Sequence, residues 1–287
     1  QVLATSDVNQ DGHPDIIWSD RNCGASTCFV TVNMRSWDGL DCQNWITGNM
    51  TLPEATVSLE EKSDAGQGEE IVLNGGLYGS VNAGPQRSRV ETWGSAEGKP
   101  YSRLDVVYNA SPCLYHAVLD ANEAYAKAAE NGYEDAQKLY EKAATDTTLK
   151  PCWTRDNEDA ELRSFSLFRL ALVAAKTDRT QEAADLVQSI LDLYPSSPIT
   201  PAISIWLNTL QTTGNVNGAC DKANEYAAMN SQVVDILANY GYANPSFGAN
   251  DFCPSSAAPT TTAAPQASTV TTETTEAAST EPITTTE

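Results

Sequence analysis

Oxygen-bearing side chains alternate along the segment Asp7-Val8-Asn9-Gln10-Asp11-Gly12-His13-Pro14-Asp15. They stand at its first, third, fifth and ninth positions. Gly12 at the sixth position permits a sharp turn, and the main-chain carbonyl of His13 occupies the seventh. Calcium takes about six to eight oxygen ligands, which a tight loop of this kind gathers locally. We therefore predict a Ca²⁺ site formed by Asp7, Asn9, Asp11, the carbonyl of His13 and Asp15.

The surroundings of this segment differ from those of an EF-hand. No Glu stands at the twelfth position, and a strand pattern follows instead of a helix. Over about fifteen residues the segment resembles the calcium loops of FG-GAP and VCBS repeats. That resemblance implies an ion that fixes a loop between strands and does not catalyse. The alternative is a metal-free Asx turn. The corresponding segment 64–70 has lost the alternating carboxylates, so we predict no second ion there.

Residues 1–109 have the pattern of a small β module. The apolar runs Asp15-Ile16-Ile17-Trp18, Phe29-Val30-Thr31-Val32 and Glu70-Ile71-Val72-Leu73 predict strands. Trp37-Asp38-Gly39 and Ala96-Glu97-Gly98 predict hairpin turns. A similar order of strands and turns occurs at 15–46 and at 70–108. Two such blade-like units predict an antiparallel sheet or sandwich, because a propeller needs about four or more blades. An unclosed sheet leaves edges that invite pairing with another chain.

Residues 110–253 are predicted to be helical, because apolar residues recur three and four apart between about 114 and 240. Breaks are expected at Asn131-Gly132, Asp178-Arg179 and Gly214-Asn215, and an insertion at about 147–157. The pattern resembles tetratricopeptide (TPR) repeats at Gly132, Tyr133, Ala136, Tyr140 and Ala143, at Leu167, Leu170, Ala171, Ala174, Ala183, Val187, Ile190 and Pro195, and at Ile203, Leu207, Ala219, Ala223 and Tyr226. This resemblance implies a solenoid that binds a peptide or packs against a partner. The alternative is an array that only stacks on the β module.

Charge and composition exclude several classes of partner. The chain of 287 residues carries a formal net charge of -21, and 41% of its residues are hydrophobic. This content suffices for packed cores, whereas nucleic acid and anionic membrane surfaces would repel the negative charge. No apolar run is long enough to span a membrane. The chain starts at Gln1, which we interpret as removal of a signal peptide or trimming of a longer chain.

The seven cysteines favour disulfides over metal binding, because they form no CxxC pair and only two histidines accompany them. We predict the pairs Cys23–Cys28, Cys113–Cys152 and Cys220–Cys253, each of which joins neighbours within one predicted module, although sequence alone does not fix connectivity. Cys42 is left over. A buried free thiol is the favoured interpretation, and a bond to another chain is the alternative.

Residues 254–287 are of low complexity, with roughly half of them Thr or Ser. Such a composition does not bury a core, so we expect a disordered or extended O-glycosylated tail or linker. The O-glycosylation candidates are Thr260, Thr261, Thr262, Thr269, Thr271, Thr272, Thr274 and Thr275. Two sequons make Asn49 and Asn109 candidates for N-glycosylation on exposed loops, with chance occurrence as the alternative for each.

Catalytic patterns are missing from the sequence. His13 lies in the calcium loop and His116 opens a helix, without a nucleophile elbow or a Cys–His pairing. The run Asn74-Gly75-Gly76-Leu77-Tyr78-Gly79 is not followed by a helix pattern and is interpreted as a loop, not a phosphate site. We expect no enzymatic activity.

Four tryptophans fall in the β module, namely Trp18, Trp37, Trp45 and Trp93. We interpret them as core residues, and a sugar-binding platform is the alternative.

The sequence therefore predicts an α+β multidomain protein with a calcium-binding β module at 1–109, a TPR-like helical solenoid at 110–253 and a Thr-rich tail at 254–287. We expect a secreted or cell-surface structural protein that self-associates into an oligomer or fibril stabilised by Ca²⁺ and glycosylation. The alternative is an adhesin or scaffold that binds a peptide or glycan through the helical array or a β face. We expect no nucleic-acid partner and no membrane span.

Overall fold

A computed structural model of the chain describes residues 1–61, 68–95 and 99–255. An antiparallel β region precedes a helical region, which confirms the predicted α+β class. The predicted turn at 96–98, most of the segment 64–70, and the tail beyond Ser255 with all the O-glycosylation candidates lie outside the described residues.

The β region consists of two antiparallel sheets. The first contains β1 (Val2–Ala4), β2 (Asp15–Cys23), β3 (Cys28–Trp37), β4 (Cys42–Asn44) and β5 (Thr51–Pro53), in the order β1-β2-β3-β4 with β5 also paired to β3. The second contains β6 (Thr56–Glu61), β7 (Glu69–Gly75), β8 (Arg89–Gly94) and β9 (Ser102–Tyr108), in sequence order. The strands predicted at 15–18, 29–32 and 70–73 lie within β2, β3 and β7. The turn predicted after Trp37 connects β3 to β4.

Alternating side chains explain how the two sheets pack. In β3, Val30, Val32 and Met34 are buried, whereas the residues between them are only partly covered. Because strand residues alternate between faces, this pattern turns one face of the first sheet inward. It shares a hydrophobic core with Ile71 and Leu73 of the second sheet. The two sheets thus form one small β unit with a single core.

The helical region contains α1 (Leu114–Ala126), α2 (Ala128–Asn131), α3 (Glu134–Thr145), α4 (Glu158–Lys176), α5 (Thr180–Leu193), α6 (Thr200–Thr213), α7 (Val216–Met229), α8 (Ser231–Asp235) and α9 (Ala249–Phe252). α1 packs on α3, α4 on α5, and α6 on α7. The predicted helix breaks fall at the ends of these helices, and the predicted insertion lies between α3 and α4. Among the described residues, none of the helices is long and apolar enough to cross a membrane.

The β and helical regions have separate cores, but their main chains meet at one junction. A short 3₁₀ helix (Val81–Ala83) precedes Gly84, which packs against Tyr240 in the segment after α8. The Asn244 side-chain amide donates to the carbonyls of Ala83 (3.2 Å), Pro85 (3.1 Å) and Tyr240 (2.7 Å). One side chain therefore holds together a loop of the β region and the end of the helical region.

Arg87 strengthens this junction from the other side. Its guanidinium forms an ion pair with Asp120 of α1 and lies 4.3 Å from the ring centre of Tyr108, at the end of β9. The Arg87 side chain is largely buried, so the ion pair is screened less than a surface pair would be. These contacts fix α1 against the second sheet.

We predict that Gly84→Ala weakens the junction more than Gly132→Ala weakens its own turn. Both glycines have positive φ (91° and 79°), but a Cβ at Gly84 would collide with the Tyr240 carbonyl oxygen, whereas Gly132 has open space around it. Gly132→Ala should reduce the free energy of unfolding by about 1 kcal/mol, and Gly84→Ala by about 3 kcal/mol. Urea denaturation followed by circular dichroism measures both. Equal losses would show that the close approach contributes nothing.

Candidate functional site

The segment between β1 and β2 folds into a loop around its own side-chain oxygens. Asp7 accepts hydrogen bonds from the main-chain amides of Asp11 (3.1 Å) and Gly12 (2.9 Å). Asn9 accepts from the Asp11 amide (3.0 Å), and Asp11 accepts from the His13 amide (2.8 Å). Gly12 has φ of 88°, which favours glycine. The bonds of Asn9 and Asp11 are Asx turns, and those of Asp7 close the loop across them, so that the predicted ligands lie on one compact loop.

Asp15 differs from the other acidic residues of the loop because it is fully buried. Its Oδ2 atom accepts from the amides of Val8 (2.9 Å) and Asn9 (3.2 Å), so the carboxylate lies against the loop. Its Oδ1 atom is buried and has no partner with hydrogen-bond geometry among the described residues. Burial raises the pKa of Asp15, and the Ser36 side chain and the two amides oppose this effect. An unpaired buried carboxylate oxygen is unfavourable, and a bound cation would satisfy it.

The second sheet contacts the loop through the residues at the start of β7. The Val8 side chain is buried in the β core, and its carbonyl accepts from the Glu69 amide (2.9 Å). The Tyr101 hydroxyl donates to the Glu69 carbonyl (2.6 Å). Gly68 packs so closely that a Cβ there would lie 2.5 Å from the Val8 carbonyl oxygen. The loop is therefore the seam at which the first sheet meets the start of β7.

The acidic side chains of the loop are directed mainly at amides. Within residues 1–61, 68–95 and 99–255, no group of three or more His, Cys, Asp or Glu side chains is arranged so that it could hold a metal ion. Besides three carboxylates, the predicted ligand set contains the Asn9 amide oxygen and the His13 carbonyl. A calcium ion there would have to draw Asp7 and Asp11 partly away from their amide donors.

The structure contains three disulfides, Cys23–Cys28, Cys113–Cys152 and Cys220–Cys253, which are the pairs expected from the sequence. The expectation of a buried thiol at Cys42 is wrong, because Cys42 is exposed. It pairs with Trp37 across the hairpin of β3 and β4. Since directly opposite residues of two strands share a face, the thiol lies on the outer face of the first sheet with the exposed Trp37.

A C-terminal hook, residues 249–255, packs against α4 and α7. The ring of Phe252 stacks on that of Phe168 with centres 4.8 Å apart. The Asn224 side chain donates to the Cys253 carbonyl (2.8 Å) and accepts from the Cys253 amide (3.1 Å), next to the disulfide from Cys220. At the end of the hook, Lys176 donates to the Ser255 carbonyl (2.9 Å). These contacts therefore tie the hook, residues 249–255, to the surface formed by α4 and α7. The predicted Cys220–Cys253 pair was the one sequence signal that indicated a contact between the hook and α7.

The four tryptophans of the β region divide between its core and its surface. Trp93 is buried and Trp45 is partly buried against the β core, as expected. Trp18 and Trp37 lie on the opposite face of the first sheet, and the core interpretation is wrong for the exposed Trp37. Trp18 donates to Asp20 (3.2 Å), which also accepts from Asn33 (3.0 Å). This face combines aromatic surface with fixed polar groups.

The two sequons lie in different surroundings, although both asparagines are exposed. Asn49 accepts a hydrogen bond from Thr51 (2.6 Å) within its own sequon. Asn109 donates to Ser88 (2.6 Å), while Ser111 of the second sequon contacts His116 (2.8 Å). Thr51 of the first sequon also hydrogen-bonds Thr31 of β3 (2.8 Å), so this sequon is tied to the first sheet, whereas the Asn109 sequon takes part in the junction between regions.

Ser111 and His116 line a cavity of about 280 Å³. The Ser111 hydroxyl also accepts from the Cys113 amide (3.2 Å). Burial lowers the pKa of His116, and the neighbouring Asp120 is engaged by Arg87. A catalytic histidine is normally oriented by a third group, and here the nearby carboxylate has another partner. The arrangement fits a structural hydrogen bond at the start of α1.

No family model, curated protein or solved structure matches this chain. The functional assignment therefore depends on the chemistry and geometry of the residues described above.

We predict that Asn224→Ala loosens the hook even with the Cys220–Cys253 disulfide intact. The substitution leaves the buried main-chain groups of Cys253 without partners, which destabilises the hook by about 1–3 kcal/mol. Asn208→Ala is the matched control, since Asn208 is an exposed residue on α6. Hydrogen exchange of the amides at 249–253 measures the effect. Equal protection in both variants would contradict the proposed clamp.

Proposed function

We propose that this chain is an extracellular, non-catalytic structural protein whose Asp7–Asp15 loop binds Ca²⁺. The observation that carries the proposal is the buried Asp15 carboxylate, whose Oδ1 atom has no partner with hydrogen-bond geometry among the described residues and lies beside a loop of oxygen-bearing side chains. A bound ion would satisfy this oxygen and offset the repulsion between Asp7, Asp11 and Asp15.

Calcium would act here by stabilising structure. The loop joins β1 to β2 and is hydrogen-bonded to Glu69 at the start of β7. An ion held by the loop would therefore restrain the seam between both sheets. The likeness to FG-GAP and VCBS calcium loops supports the same role, in which the ion fixes a loop between strands.

An extracellular location and self-association complete the proposal. Three disulfides are compatible with secretion into an oxidising compartment. Two meander units with open edges support assembly of copies through β pairing. Helix pairs with TPR-like small residues support a helical array that contributes packing surface to the assembly.

We predict that Ca²⁺ raises the melting temperature of the purified chain and that a chelator reverses the increase. Isothermal titration should give a dissociation constant in the range of extracellular calcium modules, about 10⁻⁴–10⁻³ M. At a calcium concentration of about 100 times the dissociation constant, the stabilisation should approach 2.7 kcal/mol.

Two substitutions distinguish calcium binding at this loop from nonspecific binding of calcium by the acidic surface of the chain. Asp11→Asn should weaken calcium binding at least tenfold, because it removes a charged ligand of the loop. Asp38→Asn is the control, since Asp38 also accepts main-chain amides in an exposed turn, after β3. Calcium stabilisation that is unchanged by Asp11→Asn, or lost equally in both variants, would refute the site.

A second candidate function is glycan binding at the outer face of the first sheet. The Trp18, Asp20 and Asn33 arrangement favours it, because indole faces stack on sugar rings while fixed polar groups orient hydroxyls. On this hypothesis the chain should bind oligosaccharides on a glycan array, and Trp18→Ala should abolish that binding without changing the melting temperature by more than a few degrees. An array without binding would leave only the structural role.

A further inference from the structure

The second sheet has two open edges, formed by β6 and β9. Among the described residues, β6 pairs only with β7 and β9 only with β8. β9 is exposed along most of its length, and Leu104 and Val107 keep 50% and 56% of their accessible surface. Long exposed edges with apolar side chains are the positions at which strands of another chain add.

Strand directions determine how a second copy can add. The four strands are antiparallel in sequence order, so the two edge strands run in opposite directions. A copy displaced along the sheet without being inverted therefore presents its β6 antiparallel to β9. We propose that β9 of one copy pairs with β6 of the next copy, so that the second sheet continues from subunit to subunit. This inference rests on the proposed self-association.

Main-chain hydrogen bonds show which groups of β9 are available. The Asn109 amide donates to the Ser88 carbonyl (2.9 Å) beside β8, whereas the Val106 amide donates to the side-chain carboxylate of its neighbour Asp105 (2.8 Å). Since alternate strand residues point their amides to opposite sides, Val106 and Tyr108 direct theirs to the open edge. The proposed pairing replaces the Asp105 contact at Val106 with a ladder hydrogen bond.

Side-chain facing leaves two apolar partners for Val106 on β6. Val106 lies opposite Glu91, a buried residue, so its side chain faces the first sheet. Its partner on β6 must share that face, and Val57 and Leu59 do so because they lie opposite Leu73 and Ile71.

Charge selects between the two registers. Val106 opposite Leu59 would place Asp105 against Glu60, and like charges directly opposite are unfavourable. Val106 opposite Val57 instead places Asp105 beside the uncharged Ser58 and avoids this repulsion, and the β-bulge at Leu104 ends the regular part of β9. The second register is therefore the one proposed. This contact uses different surfaces on the two copies, so it propagates into a linear assembly instead of closing a dimer.

Cysteine cross-linking tests the register. Asp105 and Ser58 lie opposite each other in the proposed pairing, so the Ser58→Cys, Asp105→Cys double variant should form a ladder of disulfide-linked oligomers on a non-reducing gel. The experiment uses the full chain with Cys42→Ser, which removes the exposed thiol. Within one chain the two positions are three strand spacings apart, about 14 Å, too far for a disulfide. Each single cysteine should give monomer only.

Val106→Pro tests the edge itself. It removes an amide that faces away from β8, so the ladder between β8 and β9 keeps its hydrogen bonds. Sedimentation velocity with calcium should show loss of the assemblies, while the calcium-dependent rise in melting temperature remains. Val106→Thr keeps the amide and should assemble like the parent chain.

The outcomes separate this inference from the proposed function. Assemblies that persist in Val106→Pro without a cross-linked ladder would refute the β9–β6 contact but leave self-association standing. A dimer from Asp105→Cys alone would refute it in favour of a two-fold β9–β9 contact. A parent chain that stays monomeric with calcium at high concentration would overturn both the contact and the structural role.

Discussion

The buried carboxylate of Asp15 is the constraint on which the β region depends. It begins β2, accepts hydrogen bonds from two amides of the loop before it, and keeps one oxygen that has no hydrogen-bond partner in the described part of the chain. A charge in such a place must be neutralised or paired. The Val8 main chain is tied to Asp15 on one side and to Glu69 on the other. Whatever stabilises the ionised carboxylate therefore stabilises the seam between the two sheets.

The junction between the β and helical regions depends on close packing of main-chain segments. Gly84 and the segment after α8 approach so closely that no side chain fits, and the amide of Asn244 satisfies three carbonyls at once. Few apolar side chains are needed for such a contact. Geometry, more than hydrophobic area, thus keeps the helical region in one orientation relative to the second sheet, and with it the positions of both open edges.

Local sequence signals predicted the local structure. Alternating apolar residues gave the strands, and turn residues at 132, 178 and 214 gave the helix ends, because these depend on neighbours in the chain. The alternating oxygens and Gly12 likewise predicted the loop. The Asn224–Cys253 clamp and the exposure of Trp37 and Cys42 arise from packing between distant segments, which periodicity does not encode. The burial of Asp15 belongs to the same class, since only the folded sheets show it.

The net charge of -21 limits how copies of this chain can associate. At physiological ionic strength, exposed charges more than about 8 Å apart are largely screened, so the charges near a contact decide whether it forms. At the second-sheet edges, the proposed register keeps the carboxylate of Asp105 on β9 away from that of Glu60 on β6. Compact clusters would bring many acidic surfaces together. A linear arrangement keeps them apart, so the charge of the whole chain favours the same end-to-end geometry that the strand directions allow.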